Sequence, residues 1–553
     1  MTKLSLLGKH WTSAGLKSFE ELRNSRNLEE CDFHPAGGLK DLEKTVERIR
    51  EAITGGERIL VVGDYDADGI CASVILYKTI ASLGGEVSVR LPHREKHGYG
   101  LNREFIEEAK ELGVKLIITV DNGITAFAEI DLANNLGIDV IITDHHLPVM
   151  EKHNKGMCLP NAFAIVNPRR EDCSYPQKNL CGATIAYKLA TILLEQESSE
   201  LANELENKKQ DLLDEFLALS AIATIADVCE LKGENRKIVQ EGLKLLPKIK
   251  NLGLQKILAN AGVKETVSSE DVGFRISPRI NASGRIDSPL CAFQALANVK
   301  GEQYADKLEK LNVARQSLTR ENFTEIEMHL GEIGEQKILL ASGANLHLGI
   351  IGLIAGRLAE KWNRPAIIMS EVGENFVGSC RSPLEKFNIT EALQKLSDLL
   401  EKFGGHKAAA GFTLPQKNRE EFERRLQEFG NARIKDEEIV PALKFDFEVN
   451  EEDLSFDLLK KIETLQPFGM GNPPPLLLWK NVNLGEIRKV GADERHLRMK
   501  VGKQNFVAIA FGLGELANKL EKDKQADLVF ELSENVWNGR RDLQLRVVDL
   551  KLN

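Results

Sequence analysis

The sequence predicts a multidomain α/β protein: a parallel-sheet domain with a helical part and long connecting helix, a second α/β domain, and a C-terminal β-barrel. Three observations predict it. Between Arg58 and His146, short runs that are apolar throughout alternate with helix-length periodic segments, as in a parallel sheet covered on both faces. From Lys337 a second such alternation begins. Beyond Asn472 it gives way to short alternating runs punctuated by turn residues, which suits a small barrel.

Taken in order, residues 1–57 carry no usable pattern and are set apart as an N-terminal extension. The first strand is Ile59-Leu60-Val61-Val62-Gly63, too short for a helix and rich in β-branched residues. A helix over Gly69–Leu83, a strand near Val87–Leu91, a helix near Arg103–Leu112 and the strand Leu116–Val120 follow. The helix Phe127–Asn135 then leads to the strand Val140–Ile142. Residues from Gly182 to Arg320 read as mostly helical, with the charged stretch Glu195–Asp214 expected as a solvated helix pair. Few breakers interrupt Tyr304–Gly331, so it is expected as one connecting helix that closes a catalytic domain over 58–330. The second α/β domain spans 335–430. The last domain, 440–553, contains the runs Leu497–Val501, Phe506–Phe511 and Leu528–Leu532 and an Asn538-Gly539 hairpin signal, and an OB-fold is one candidate for it.

Composition narrows the class. A chain of 553 residues with 42% hydrophobic and 28% charged content is a globular protein of several domains. Its longest nearly uncharged apolar run, Phe216–Ala226, is well short of the roughly 20 residues of a membrane span. The N-terminus meets charge before an apolar region forms, so no signal peptide, no membrane partner and a cytoplasmic location are expected. Eight cysteines without a CxxC pair suit neither a zinc site nor a disulfide framework and are read as small buried hydrophobes. The net charge of −10 argues against whole-surface nucleic-acid binding but is compatible with a local basic groove.

Chemistry gathers at the strand ends. After Ile59–Gly63 comes Asp64-Tyr65-Asp66-Ala67-Asp68-Gly69; after Leu116–Val120, Asp121-Asn122-Gly123; after Val140–Ile142, Thr143-Asp144-His145-His146. Asp227 follows the apolar stretch Leu217–Ala226. A single Asp in such a place is ordinarily a helix N-cap. Three consecutive strand ends aimed at one sheet edge form a set of carboxylates that repel one another unless cations neutralise them. Carboxylate and imidazole together suit Mn²⁺, with Mg²⁺ as the alternative, and two such ions clamp a phosphoryl centre.

Gly63–Gly69, Val120–Gly123, Asp144–His146 and Ala223–Asp227 resemble the four motifs of the DHH phosphoesterase superfamily. The resemblance extends through His97-Gly98-Tyr99-Gly100, Ser277–Arg285, His347–Gly352, Gly378–Ser382, Gly404–Gly411 and Pro467–Pro473, covering residue 58 to the C-terminus. That span is similar to the DHH, DHHA1 and OB-fold order of the RecJ exonuclease family. The resemblance implies that Asp66 holds one metal and Asp68 the other, that Asp121 bridges them, and that His145 and Asp227 complete the second site. Asp121 and His146 are then the catalytic residues, His146 facing the substrate phosphate. Asp64 is either a ligand or an orienter of its loop, and Asp144 supports its own loop.

Arg279, Arg285, Ser379, Arg381, Gly405 and His406 are the implied substrate contacts: forked guanidinium donors, one hydroxyl and a glycine that permits close backbone approach. Cys380 departs from the family's Gly-Ser-Gly-Arg-Ser run and is expected to crowd the phosphate loop. Gly404-Gly405-His406-Lys407 lacks P-loop spacing, so no nucleotide triphosphate is implied. The implied activity is 5′→3′ digestion of single-stranded DNA to 5′-mononucleotides with two divalent metal ions, in recombination and repair. Single-strand-binding protein and a RecQ-type helicase are the implied partners. Arg488, Lys489, Arg495, Arg498, Lys500 and Lys503, with Phe506 and Trp537, read either as a strand-tracking surface or as a solvated face over core aromatics. A small-substrate phosphodiesterase of the superfamily would share the metal residues but lack the module after Pro467. A non-catalytic replication scaffold would be expected to have lost them.

Overall fold

The structure, a computed structural model, describes residues 5–28, 31–150, 156–195, 202–263, 265–537 and 539–553. Five strands, Arg58–Val62, Val87–Arg90, Val114–Val120, Asp139–Thr143 and Ala164–Val166, make one parallel sheet. Numbered along the chain they lie in the order 2-1-3-4-5. The winding therefore reverses between the first and third strands and opens a crevice at their carboxyl ends. Ile59 and Val61 pack with helices Leu42–Thr54, Ala67–Ser82 and Gly182–Glu195 on one face. Leu60 and Val62 pack with Arg103–Glu111 and Phe127–Asn135 on the other. Burial on both faces is why these strands are uninterrupted apolar runs.

The described part of Glu195–Asp214 belongs to two helices, the end of Gly182–Glu195 and the start of Ala202–Ala226, while residues 196–201 lie outside the described residues. Gln210 and Asp211 are exposed, but Glu215 to Thr224 are buried against the parallel-sheet core. The connecting helix Gly301–Leu330 runs on to a mixed five-stranded sheet. There Leu339–Gly343 and Ala366–Val372 are parallel, while Asn375–Arg381, Ala409–Pro415 and Lys402–His406 follow antiparallel. Ser379, Cys380 and Arg381 end the strand Asn375–Arg381 and are not a turn. Strand alternation sends Cys380, fully buried, into the core and leaves Ser379 and Arg381 on the opposite face, so the expected crowding by Cys380 does not occur.

Five strands, Leu477–Val490, His496–Val501, Phe506–Ala510, Gln525–Trp537 and Arg540–Leu552, close into a barrel through the pairing of the first with the fourth. Periodicity did not reveal the first strand, because register shifts at Trp479/Val482 and Leu484/Ile487 break its alternation. The hairpin pairs Trp537 with Arg540; Asn538 and the Trp537 side chain lie outside the described residues.

The described part of segment 1–57 is shared between two bodies. Helix Phe19–Arg26 buries Phe19 and Leu22 in the barrel core, and Arg26 donates to Asn472 Oδ1 at 2.8 Å. Helix Leu42–Thr54 belongs to the parallel-sheet core. No helix among the described residues is long and apolar enough to cross a membrane.

Candidate metal centre and substrate site

The acidic residues follow directly from the sheet. Strands Arg58–Val62 and Val114–Val120 are neighbours at the crevice, so the loops after them, carrying Asp64 to Asp68 and Asp121, face each other. Asp66 does cap the helix Ala67–Ser82, accepting the Asp68 and Gly69 amides at 3.0 and 3.1 Å. The cap uses only Oδ1, which leaves Oδ2 for another partner. Both oxygens of the buried Asp68 accept amides from the first turn of Gly182–Glu195, Gly182 N and Ala183 N, each at 2.7 Å. That helix can dock so closely only because residue 182 is glycine: a Cβ there would lie 2.6 Å from Asp121 Cβ.

Asp121 has φ 62, a left-handed conformation that asparagine and aspartate tolerate better than most residues. Its amide donates to Thr143 O at 2.9 Å and its carbonyl accepts the Tyr99 hydroxyl at 2.8 Å. Asn122, fully buried, ties the loop down by donating to Val62 O and Val120 O. His145 Nε2 lies 3.0 Å from Asp121 Oδ1 and 3.7 Å from Asp68 Oδ2, and its Nδ1 lies 3.8 Å from Asp227 Oδ2. The side-chain accessibility of His145 is 7% against 34% for His146, so the second histidine is the one that meets solvent. Asp144 accepts from Ile124 N, His145 N, His146 N and His146 Nδ1, which makes it the support of this loop.

Burial, with Asp68, Asp66 and Asp64 nearby, raises the Asp121 carboxyl far above the usual range. Burial and Asp66 do the same to Asp64. Asp68 and Asp227 are raised by burial and by their acidic neighbours, while burial lowers His145. Burial also pushes His146 down, but its Asp144 hydrogen bond and the surrounding carboxylates outweigh that and raise it to about 9. An assembly of this kind is at ease only with added positive charge.

The donor set fits divalent cations. Ligand atoms of Asp64, Asp66 and Asp121 lie within 4.8 Å of one another, as do those of Asp68, His145 and Asp227 and those of Asp121, His145 and His146. Buried Asp64 Oδ1, Asp121 Oδ1 and His145 Nε2 have no hydrogen-bond partner among the described residues; even the 3.0 Å approach of the last two lacks the angle of a bond. Unpartnered polar atoms gathered in a protein interior are what coordination by cations relieves.

The structure separates the predicted arginines. Arg279 donates twice to Glu309 and to the carbonyls of Arg275 and Asn260, so its fork is committed to packing the connecting helix and the expectation of phosphate contact is corrected. Arg285 donates to Gly349 O at 3.2 Å, and is pushed down to about 10 by burial and by Arg94, Arg315 and Arg381. Arg381 donates to Ser379 Oγ at 3.2 Å and to Cys380 O. Sequence reasoning missed Arg94, whose guanidinium lies 4.0 Å over the Tyr65 ring and whose buried Nε has no partner among the described residues. Arg94, Arg285 and Arg381 have no ion-pair partner among the described residues, and their like charges help hold Arg285 and Arg381 below the usual range, the signature of an anion site. Gly405 (φ 142) and His406 end the exposed edge strand Lys402–His406, and among the described residues no side-chain bond links them to the metal residues.

On the barrel, Arg488, Lys489 and Arg495 pair with Glu486, Glu515 and Asp493. Arg498, Lys500 and Lys503 have no ion pair among the described residues, and Arg488 stands directly opposite Arg498. Like charges in cross-strand register destabilise a sheet and suit a polyanion. Phe506 packs edge-on against Trp479, whereas Phe511 is the aromatic that is exposed.

Three family descriptions match: the DHH family N-terminal domain over residues 58–224, the DHHA1 domain over 335–432 and the RecJ OB domain over 445–549. The chain is 35% identical to the single-stranded-DNA-specific exonuclease RecJ of Bacillus subtilis over 97% of its own length and 66% of that protein's. It is 31% identical to the RecJ of Dickeya dadantii over 99% of this chain and 96% of that one. The crystal structure of RecJ in complex with Mn²⁺ from Thermus thermophilus superposes with a TM-score of 0.81 at 28% identity, covering 98% of this chain and 80% of that one.

Proposed function

The chain belongs to the RecJ family of single-stranded-DNA-specific exonucleases, and on that premise we propose that it degrades single-stranded DNA from the 5′ end to 5′-mononucleotides. The observation that carries the proposal is the meeting of two features: converging unpartnered carboxylate and imidazole atoms, and beside them a three-arginine anion site. Asp64, Asp66 and Asp121 form one candidate ligand group and Asp68, His145 and Asp227 the other, with Asp121 between them. Two cations, Mn²⁺ as first choice and Mg²⁺ as second, supply a nucleophile at neutral pH and charge neutralisation at the scissile phosphate.

The chain's own residues do the remaining work. The Gly182 and Ala183 amides fix the Asp68 carboxylate, and Tyr99 and Thr143 fix the backbone of Asp121. His146, held by Asp144 at 2.8 Å, directs a cationic imidazole toward charge developing on the phosphate. Arg94, Arg285 and Arg381, with Ser379, capture the terminal phosphate, and a pocket for a terminal phosphate gives end-specific cleavage. Gly405 and His406 are proposed to approach the same nucleotide. The barrel surface around Arg498 tracks the rest of the strand by charge.

A role in recombination and repair, a cytoplasmic location, and partnership with single-strand-binding protein and a RecQ-type helicase complete the proposal. Mn²⁺ titration tests its metal centre: two ions per chain are expected, one or none in Asp121→Ala, and a wild-type stoichiometry below one would sink it.

A further inference from the structure

The carboxyl edge of the parallel sheet carries one arginine that the site described above does not use. With the strands in the order 2-1-3-4-5, the residues that follow them stand in a row. Arg94 comes after Val87–Arg90, Asp64 to Asp68 after Arg58–Val62, and Asp121 after Val114–Val120. Asp144 to His146 come after Asp139–Thr143, and Arg169 after Ala164–Val166. The row therefore runs from a cation, through the acidic centre, to a second cation. Neighbouring strands lie about 4.8 Å apart, so the strands leading to the two arginines are about 19 Å apart, too far for both to hold one phosphate.

The segment bearing Arg169 is bound to the histidine loop. Asp144 N donates to Val166 O at 3.0 Å, and the buried Asn167 donates from Nδ2 to His146 O at 2.9 Å. Asn167 Oδ1 accepts the Arg169 amide at 2.8 Å, a turn that ties the backbone of Arg169 through one side chain to that of His146. The next residue, Arg170, is committed: it donates to Asp41, to Asp172 and to Ile165 O. Arg169, half-buried, has no ion pair and donates no side-chain hydrogen bond among the described residues, and its Nε is buried without a partner there. An unspent forked donor beside a metal centre suits a phosphate oxygen. Its charge reaches the second ligand group: burial raises Asp227 and Arg169 opposes the rise, while burial lowers His145 and Arg169 adds to the lowering.

We propose that Arg169 binds the phosphate one linkage to the 3′ side of the scissile one, within the strand that stays behind after each cut. The proposal rests on the single-strand exonuclease reading above. With the terminal phosphate at Arg94, Arg285 and Arg381 and the scissile phosphate at the acidic centre, the remaining strand continues along the sheet edge away from Arg94. Arg169 stands in its path. A substrate with a single linkage gives Arg169 nothing to hold, so this contact favours a strand over a dinucleotide.

The test compares a 5′-phosphorylated deoxydinucleotide with a 5′-phosphorylated deoxytrinucleotide, which has one further linkage, at saturating Mn²⁺. Wild type is expected to favour the trinucleotide in kcat/KM by about tenfold, the scale of a hydrogen bond to a charged group. Arg169→Gln is expected to abolish the preference and Arg169→Lys to keep part of it. A trinucleotide whose second linkage is an uncharged methylphosphonate is expected to fall to the dinucleotide's kcat/KM with wild type, which tests the contact without any substitution. Wild type indifferent to that neutral linkage would overturn the proposal. So would an Arg169→Gln enzyme that keeps the preference while losing activity equally on both substrates, since Arg169 would then act at the scissile phosphate. A wild type that leaves single-stranded DNA of every length intact would instead count against the exonuclease reading itself.

Discussion

Replacing Gly182 by alanine is the perturbation whose consequence the geometry fixes most tightly. In a helix, Ala ordinarily gains about 0.5–1 kcal/mol over Gly. Here the added Cβ would lie 2.6 Å from Asp121 Cβ and 3.0 Å from its Cα, where an ordinary contact is 3.4–4 Å. Asp121 cannot retreat, because its amide and carbonyl are bonded to Thr143 and Tyr99. The helix start must therefore move away by about 1 Å, and a misplacement of that size at reacting groups costs on the order of 100-fold in rate. The same movement draws the Gly182 and Ala183 amides off Asp68, and each amide bond to a carboxylate contributes about 1.5–3 kcal/mol. Overpacking adds a stability loss of about 1–3 kcal/mol. Steady-state digestion at saturating Mn²⁺ and urea unfolding measure the two effects. Gly356→Ala, inside helix Leu348–Trp362 at a position where no described atom lies within 4 Å of the new Cβ, serves as the control and is expected to leave turnover unchanged and to gain about 0.5–1 kcal/mol in stability. Wild-type turnover and stability in Gly182→Ala would refute the reasoning.

Asp121→Ala should lower turnover by about 10³-fold or more by removing a carboxylate that would hold the cations, while circular dichroism stays native; Mn²⁺-dependent activity near wild type would be the contrary result. Arg381→Ala should raise KM for strands bearing a 5′-phosphate by about tenfold and leave Mn²⁺ occupancy unchanged, as kinetics beside metal analysis would show. Arg279→Ala should do the reverse, leaving KM intact and lowering stability to urea by about 1–3 kcal/mol through loss of the Glu309 pair. Cys380→Gly should destabilise by about 1–2 kcal/mol without improving phosphate capture, because the thiol fills the sheet core; a lower KM would show that the side chain does crowd the site.

The strand-end motifs were legible because a parallel sheet buried on both faces leaves an unmistakable apolar signature, and the residues that interrupt it stand at its carboxyl edge. Asp64 to Asp68, Asp121 and His145 could be placed at one edge from that pattern alone. Arg279 and Arg285 could not be told apart in that way. Both lie on helix Ser277–Ile286, and a separation of six positions turns them about 120° from each other. One therefore meets Glu309 and the other the anion site. Cys380 was misjudged because its segment was read as a phosphate loop, whereas strand alternation decides where its side chain goes. Arg94 stood in a charge-rich segment with nothing local to mark it, and its role arises only from the approach of Tyr65, Arg285 and Arg381. The docking of Phe19–Arg26 onto the barrel joins residues more than four hundred positions apart, and local periodicity carries no information about that.

Digestion of single-stranded DNA labelled at either end, with duplex DNA and a short oligoribonucleotide alongside, tests the central claim most directly. The account predicts Mn²⁺-dependent release of a labelled mononucleotide at the outset from the 5′-labelled single strand, late release from the 3′-labelled one, and an intact duplex. Cleavage confined to the short oligoribonucleotide would contradict it, leaving the metal centre in place but assigning it to small substrates.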